Sequence, residues 1–254
     1  MDAREKFTGL ASVYTQGRPA YAEAFLTDLY GAFGISADSV IADIGSGTGK
    51  FAKQLLKRGS FVYCVEPNED MRNQAVLELD GWENARILPG DASHTTLPDS
   101  SVDFVTAAQA FHWFDTDAFR KECGRILKPG GRVFLIWNLR DPGADVTRKC
   151  GEVYRKYCPA FQGFTGGMRE DDPRIGLFFD GKFEKRKYDH PLRYDHDRFI
   201  SRCLSGSYSL KPGEPDYEAY LAEFYRIFDE YACQGVVTVP NETIVYAGGV
   251  FTGS

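Results

Sequence analysis

The chain has 254 residues, 43% of them hydrophobic and 26% charged, a composition ordinary for a globular protein that buries its own core. Asp and Glu (36) outnumber Lys and Arg (30), and the resulting net charge of -6 argues against a partner held through nucleic-acid phosphates. Met1 to Lys6 lacks a signal-peptide core and no apolar run reaches membrane-spanning length, so a cytoplasmic protein without a membrane partner is expected.

Six cysteines are scattered without a Cys-x-x-Cys pair, and the four histidines lack metal-ligand spacing. Reduced thiols are expected, with neither a disulfide framework nor a metal site. Phe7 to Tyr21 is rich in aromatic and small residues and reads as a helix packing on the sheet edge. Ala20 to Phe33 has apolar residues at helical spacing, closed by Gly34.

Val40 to Asp43 then reads as a buried strand running into Gly45-Ser46-Gly47-Thr48-Gly49, with a helix resuming at Lys50 and Phe51. Glycines there let the backbone take positive φ and let a ligand approach closely. The spacing is Gly-x-Gly-x-Gly. A dinucleotide turn would place its third glycine where Lys50 stands, and a nucleotidase phosphate loop would follow Lys50 with Ser or Thr instead of Phe51. Asp43 at the strand tip would repel a phosphate and suits a ligand with an amino group.

Phe61 to Val65 is a second strand, ending at Glu66, whose carboxylate is placed to accept from ribose hydroxyls. Pro67 to Met71 opens the next helix. Ala85 to Pro89 is a third strand, followed by Gly90-Asp91-Ala92. Leu97 to Val105 reads as a turn into a fourth strand, and its loop gathers Gln109, Phe111, His112 and Trp113, an amide, an imidazole and aromatic faces that could wall a pocket. Asp115 caps a helix to Leu127. Lys128-Pro129-Gly130-Gly131 turns it into a fifth strand, Arg132 to Trp137.

Asp43 to Gly49, the acid Glu66, the Gly90-Asp91 turn, the strand at Val102 to Val105 and the Leu-Lys-Pro-Gly-Gly turn occur in the order that resembles class I S-adenosylmethionine-dependent methyltransferases. The resemblance implies an α/β, Rossmann-like, seven-stranded, mostly parallel sheet with an antiparallel edge strand, helices on both faces and helical cap elements. It implies one methyltransferase domain over 1–254: an N-terminal cap and first helix (1–35), a cofactor-binding core (36–138), and substrate-side helices with the last two strands (139–254). The implied cofactor contacts are Asp43, Gly45, Ser46, Gly47, Gly49, Glu66, Pro67, Met71, Asp91, Ala92, Gln109 and Trp113. Tyr14, Arg18 and Arg140 are substrate-side candidates, and His112 is the candidate catalytic residue, with a structural role equally open.

Among relatives, Ala108 to Asp115 most resembles trans-aconitate methyltransferase-like proteins, which implies a small-molecule acceptor and a carboxylate as the methylated group. A carboxylate is ionised at neutrality and needs no general base, so arginines could position it. Other readings stay open: a cofactor-binding regulator or scaffold without catalysis, and, less favoured, a nicotinamide oxidoreductase or a nucleic-acid methyltransferase. A monomer or homodimer is expected.

After Asn138, Asp145 to Tyr157 reads as a helix, Pro159 to Gly181 as loop or partial lid, and Phe183 to Tyr194 as a sixth strand. His196 to Leu204 and Pro215 to Cys233 read as helices, and Glu242 to Val250 as a seventh strand pairing with the sixth at the sheet edge.

Overall fold

β1 (Val40–Ile44) lies inside a seven-stranded sheet, and its position follows from its composition: Ile41, Ala42 and Ile44 are fully buried, as a strand covered on both faces requires. The computed structural model describes residues 19–164, 170, 172–206 and 208–250. From the N-terminal side come α1 (Glu23–Tyr30), β1, α2 (Lys50–Leu56), β2 (Phe61–Val65), α3 (Glu69–Glu78), β3 (Ala85–Leu88) and β4 (Val102–Ala108). A 3-10 turn at Phe111–Trp113 leads to α4 (Thr116–Ile126), β5 (Leu127–Arg140), α5 (Asp145–Tyr157) and α6 (Pro173–Phe178). β6 (Glu184–Asp189), β7 (Leu192–Tyr194), α7 (His196–Leu204), α8 (Tyr217–Tyr231), β8 (Val237–Val239) and β9 (Asn241–Gly248) complete the order.

The large sheet runs β3-β2-β1-β4-β5-β9-β6. Strands β1 to β5 are parallel, and β9 pairs antiparallel with both β5 and β6. The antiparallel pair therefore stands at the edge as expected, with the reversed strand one place in. Chain order turns back between β1 and β4, which creates the crevice at the carboxyl ends where open α/β sheets hold ligands.

Helices cover both faces. Phe25, Leu26 and Leu29 of α1 and Phe51, Leu55 and Leu56 of α2 form one apolar layer with β1 and β5. Phe119, Cys123 and Ile126 of α4 pack with Ile175 and Phe178 of α6 on the other face. Within this second layer Glu122 is 6% exposed and accepts from the Thr95 backbone N–H (2.8 Å) and hydroxyl (2.6 Å), and from Arg125 Nη2 (2.6 Å). A third cluster is built from α5, α7, α8, β7 and β8 around Tyr154, Tyr220 and Phe224.

Three expectations change. Phe183 to Tyr194 is two strands, because Pro191 has no N–H to continue the ladder: β6 stays in the large sheet and β7 pairs with β8 in a separate ribbon. Residues 139–254 thus hold β6 to β9 instead of two strands, β8 being drawn from the β-branched run Val236 to Val239. Within 159–181, α6 forms with Asp172 as its N-cap, its Oδ1 accepting from Arg174 N–H at 3.0 Å.

All six cysteines are free, five buried and Cys233 exposed. Among the described residues no helix is long and apolar enough to cross a membrane, and no group of three His, Cys, Asp or Glu could hold a metal.

Candidate active site

Five parallel strands end at one edge, and nearly every residue singled out from the sequence sits there. Gly45, Gly47 and Gly49 all have positive φ, and the loop is fastened by Gly45 N–H and Ser46 N–H to the Val65 carbonyl at 2.8 and 3.2 Å. At Gly45 a Cβ would stand 2.7 Å from the Ala110 Cβ and 3.2 Å from the Phe114 ring, so only glycine lets the loop after β4 close onto the turn.

Asp43 is 1% exposed and stands opposite Thr106 of β4. Thr106 Oγ1 donates to its Oδ1 at 2.7 Å, while Oδ2 is buried with no hydrogen-bond partner among the described residues. Burial pushes the carboxyl up to about 7, the neighbouring Glu66 charge adds to that, and the Thr106 bond offsets part of it. A buried carboxylate oxygen left unmet is costly. A ligand ammonium would relieve that cost.

Glu66 follows β2 and is 8% exposed. Its Oε2 accepts from Gly47 N–H (3.0 Å) and its Oε1 from Asn68 N–H (2.9 Å), which fixes the carboxylate beside the glycine turn. Burial raises its pKa, against the two backbone bonds and Arg72. Each oxygen keeps a lone pair for a hydroxyl. Two carboxylates at neighbouring strand tips favour hydroxyls and a cation, and disfavour a pyrophosphate.

Pro67 lies in the same turn, its carbonyl accepting from Arg72 Nη1 at 2.7 Å. Met71 is 3% exposed in the first turn of α3. Asp91 closes a tight turn, its Oδ1 accepting from Ser93 N–H (2.8 Å) and His94 N–H (3.0 Å), and Ala92 packs into the apolar layer. Ser46 contributes a buried hydroxyl without a partner among the described residues.

After β4, Gln109 takes φ 59°, and its Nε2 donates to the Asn138 carbonyl at 3.0 Å, which orients the amide. Trp113 is 39% exposed and its ring lies 4.9 Å from that of His112. The His112 Nδ1 is shielded from solvent. Phe111 does not line a pocket: it is 1% exposed among Phe114, Phe119, Trp137 and Phe178, because the 3-10 turn rotates it into the sheet layer.

Tyr14 and Arg18 lie outside the described residues. The segment just after them is pinned to this edge: Asn138 Nδ2 donates to the Ala20 carbonyl (2.9 Å), and Ala22 N–H donates to Thr243 Oγ1 (3.0 Å). Arg140 is the last residue of β5 and faces the third cluster, its guanidinium 4.5 Å from the Phe164 ring centre. Sequence reasoning passed over Thr106 and Asn138. Thr106 follows directly on the expected fourth strand, which runs on to Ala108, and only the register places it against Asp43.

A family model described as a methyltransferase domain matches residues 42–135, from β1 into β5. An uncharacterized methyltransferase of Mycobacterium tuberculosis strain H37Rv is 36% identical over 152 residues, covering 60% of this chain and 60% of that protein. A methyltransferase-like protein of Schizosaccharomyces pombe is 34% identical over 152 residues, 58% of each. The chain therefore spans about three fifths of the curated relatives it matches. Among solved structures, the YcgJ protein of Bacillus subtilis superposes with a TM-score of 0.56 at 19% identity, over 91% of this chain and all of that one. A SAM-dependent methyltransferase of Aquifex aeolicus gives 0.51 at 20% identity, over 72% and 90%. Residues 42–135 thus match a methyltransferase domain, and the strand order and glycine turn around them give the chain a Rossmann-like fold shared with solved methyltransferases.

Proposed function

We propose that this protein transfers the methyl group of S-adenosylmethionine to a small molecule, with a carboxylate oxygen as the acceptor. The observation that carries the cofactor half is the unmet, buried Asp43 Oδ2 beside a glycine turn held by Glu66. In this reading Asp43 takes the amino group of the methionine tail and Glu66 the ribose hydroxyls. Gly45, Ser46, Gly47 and Gly49 let the backbone approach, while Pro67, Met71, Asp91 and Ala92 border the base. Gln109 and Trp113 wall the side from which the acceptor arrives, and helices from 139–254 complete its chamber.

The cofactor when bound supplies a methyl already activated on a sulfonium, so the chain's task is positioning. Aromatic faces near the sulfonium stabilise its charge by about 0.5 to 2 kcal/mol. Holding a nucleophile in line about 3 Å from the methyl, in a site closed to water, supplies most of the remainder. A carboxylate acceptor brings its own negative charge, which suits a site where the Nδ1 of the His112 imidazole is out of solvent.

Incubation with labelled S-adenosylmethionine and a panel of small carboxylic acids and phenols tests the proposal. Label in base-labile esters is the expected result; label in phenols alone would remove the carboxylate. Binding with no acceptor labelled in the panel or in a metabolite extract would favour a regulator or scaffold.

His112→Ala separates two roles of that ring. If it faces the acceptor, turnover falls about tenfold or more while the dissociation constant of S-adenosylhomocysteine moves less than twofold. A loss of thermal stability with unchanged turnover per folded molecule would make it structural.

A further inference from the structure

The guanidinium of Arg140 has no carboxylate partner among the described residues. The groups that act on it most are Tyr154, Cys203, Cys150 and Tyr194, all from the third cluster, with the Phe164 ring against its face. Burial pushes the Cys203 thiol and the Tyr154 phenol well above their ordinary ranges, so neither serves as a counter-charge. Cys150, held below its ordinary value by a hydrogen bond with Cys203 and by Arg140 and Arg202, is itself only 2% exposed. Arg140 is half-buried beside that cluster, with part of its surface accessible.

Two hydroxyls on the elements of this cluster have no hydrogen-bond partner among the described residues although both oxygens are out of solvent: Tyr194 Oη and Thr147 Oγ1. Thr147 is 2% exposed and lies on the stripe of α5 that also carries Cys150, Gly151 and Tyr154. Arg202 of α7 acts on the same two thiols, its Nη1 donating to Ser205 Oγ at 3.1 Å. A guanidinium only donates and each of these hydroxyls has a proton to give; what the set lacks is an acceptor with negative charge.

We infer that Arg140, Tyr194 and Thr147, with Arg202 behind them, form an anion subsite that holds a carboxylate or phosphoryl group of the methyl acceptor. The subsite rests on the methyl-transfer reading and deepens it. Arg140 stands three residues beyond Trp137, the strand position level with Gln109, or about 10 Å further along β5. The anion held there is therefore a recognition group set apart from the reacting atom, and Arg140 is a positioning residue. Charge divides the proposed site, with Asp43 and Glu66 at the cofactor end and arginines at the acceptor end. An anionic acceptor is thereby kept from docking at the cofactor end.

Calorimetric titration of the full chain, saturated with S-adenosylhomocysteine, with succinate and with inorganic phosphate at fixed ionic strength tests this. Saturable uptake of at least one anion is expected, at least tenfold weaker in Arg140→Met and within twofold of wild type in Arg226→Ala, whose side chain is 74% exposed. Preference for succinate or phosphate tells carboxylate from phosphoryl recognition. A second readout guards against simple unfolding: an arginine kept for a ligand costs stability, so Arg140→Met should melt about 2 °C or more above wild type. Uptake of neither anion, equal uptake by Arg140→Met, or a lower melting temperature for that variant would each overturn the subsite. Failure to bind S-adenosylhomocysteine would instead strike the methyl-transfer reading, and the same anion comparison on ligand-free protein would still decide the subsite.

Discussion

Asp43→Asn should lose cofactor and gain stability in the same molecule. The amide keeps the Thr106 bond to Oδ1 and the shape of the side chain, but removes the charge that a ligand ammonium would meet. The dissociation constant for S-adenosylhomocysteine should rise about 100-fold, the worth of a charge-assisted pair in a dry site. In the ligand-free protein the sign reverses. The carboxyl titrates at about 7 when folded, against about 3.9 unfolded, so the folded state holds the extra proton between those values and stability falls as pH rises through them. Above pH 7 the full penalty is on the order of 4 kcal/mol. Ligand-free Asp43→Asn should therefore melt several degrees above wild type at pH 8 and converge with it near pH 4. Wild-type affinity for S-adenosylhomocysteine should weaken as pH falls below 7, while the variant's stays flat. A variant that binds as wild type does would remove Asp43 from the cofactor site.

Glu122→Gln carries the largest expected loss of stability. The buried carboxylate joins Thr95, ahead of β4, to Arg125, one turn along α4, and so ties the loop after β3 to the helix. Burial alone would raise its pKa, but the Arg125 and Thr95 bonds outweigh burial and hold it at about 2. A carboxyl depressed when folded stabilises fully above its unfolded pKa of about 4.3, and the contribution is lost as pH falls from there through 2. Arg125 is one-third exposed, so water screens the pair and the loss belongs near 2 to 3 kcal/mol. At pH 7 that is about 4 to 12 °C in melting temperature, shrinking toward zero at pH 2. An unchanged melting temperature at pH 7 would contradict the role given to this pair.

Much of the candidate site could be read from sequence, because its residues fall at strand ends marked by composition: a β-branched run, then Asp43 and glycines; another, then Glu66. Periodicity supplied the parallel half of the sheet for the same reason. It gave less where tertiary contacts decide. Phe111 and His112 are neighbours in one turn, and only the packing of α4 and α6 sends Phe111 inward. One proline divides β6 from β7 and sends them to different sheets. Arg140 is a substrate-side candidate from sequence, but Tyr194, which acts on it, lies 54 residues further along the chain, a proximity no local pattern encodes.

The most direct measurement is calorimetry on the folded protein with S-adenosylmethionine, S-adenosylhomocysteine and NADH. Micromolar uptake of the first two, with a proton released from buffer-dependent heats near pH 7 as Asp43 ionises, and no uptake of NADH, is the predicted result. Tight NADH uptake with no heat from either sulfur compound would mean that the carboxylates at these strand tips serve a different ligand.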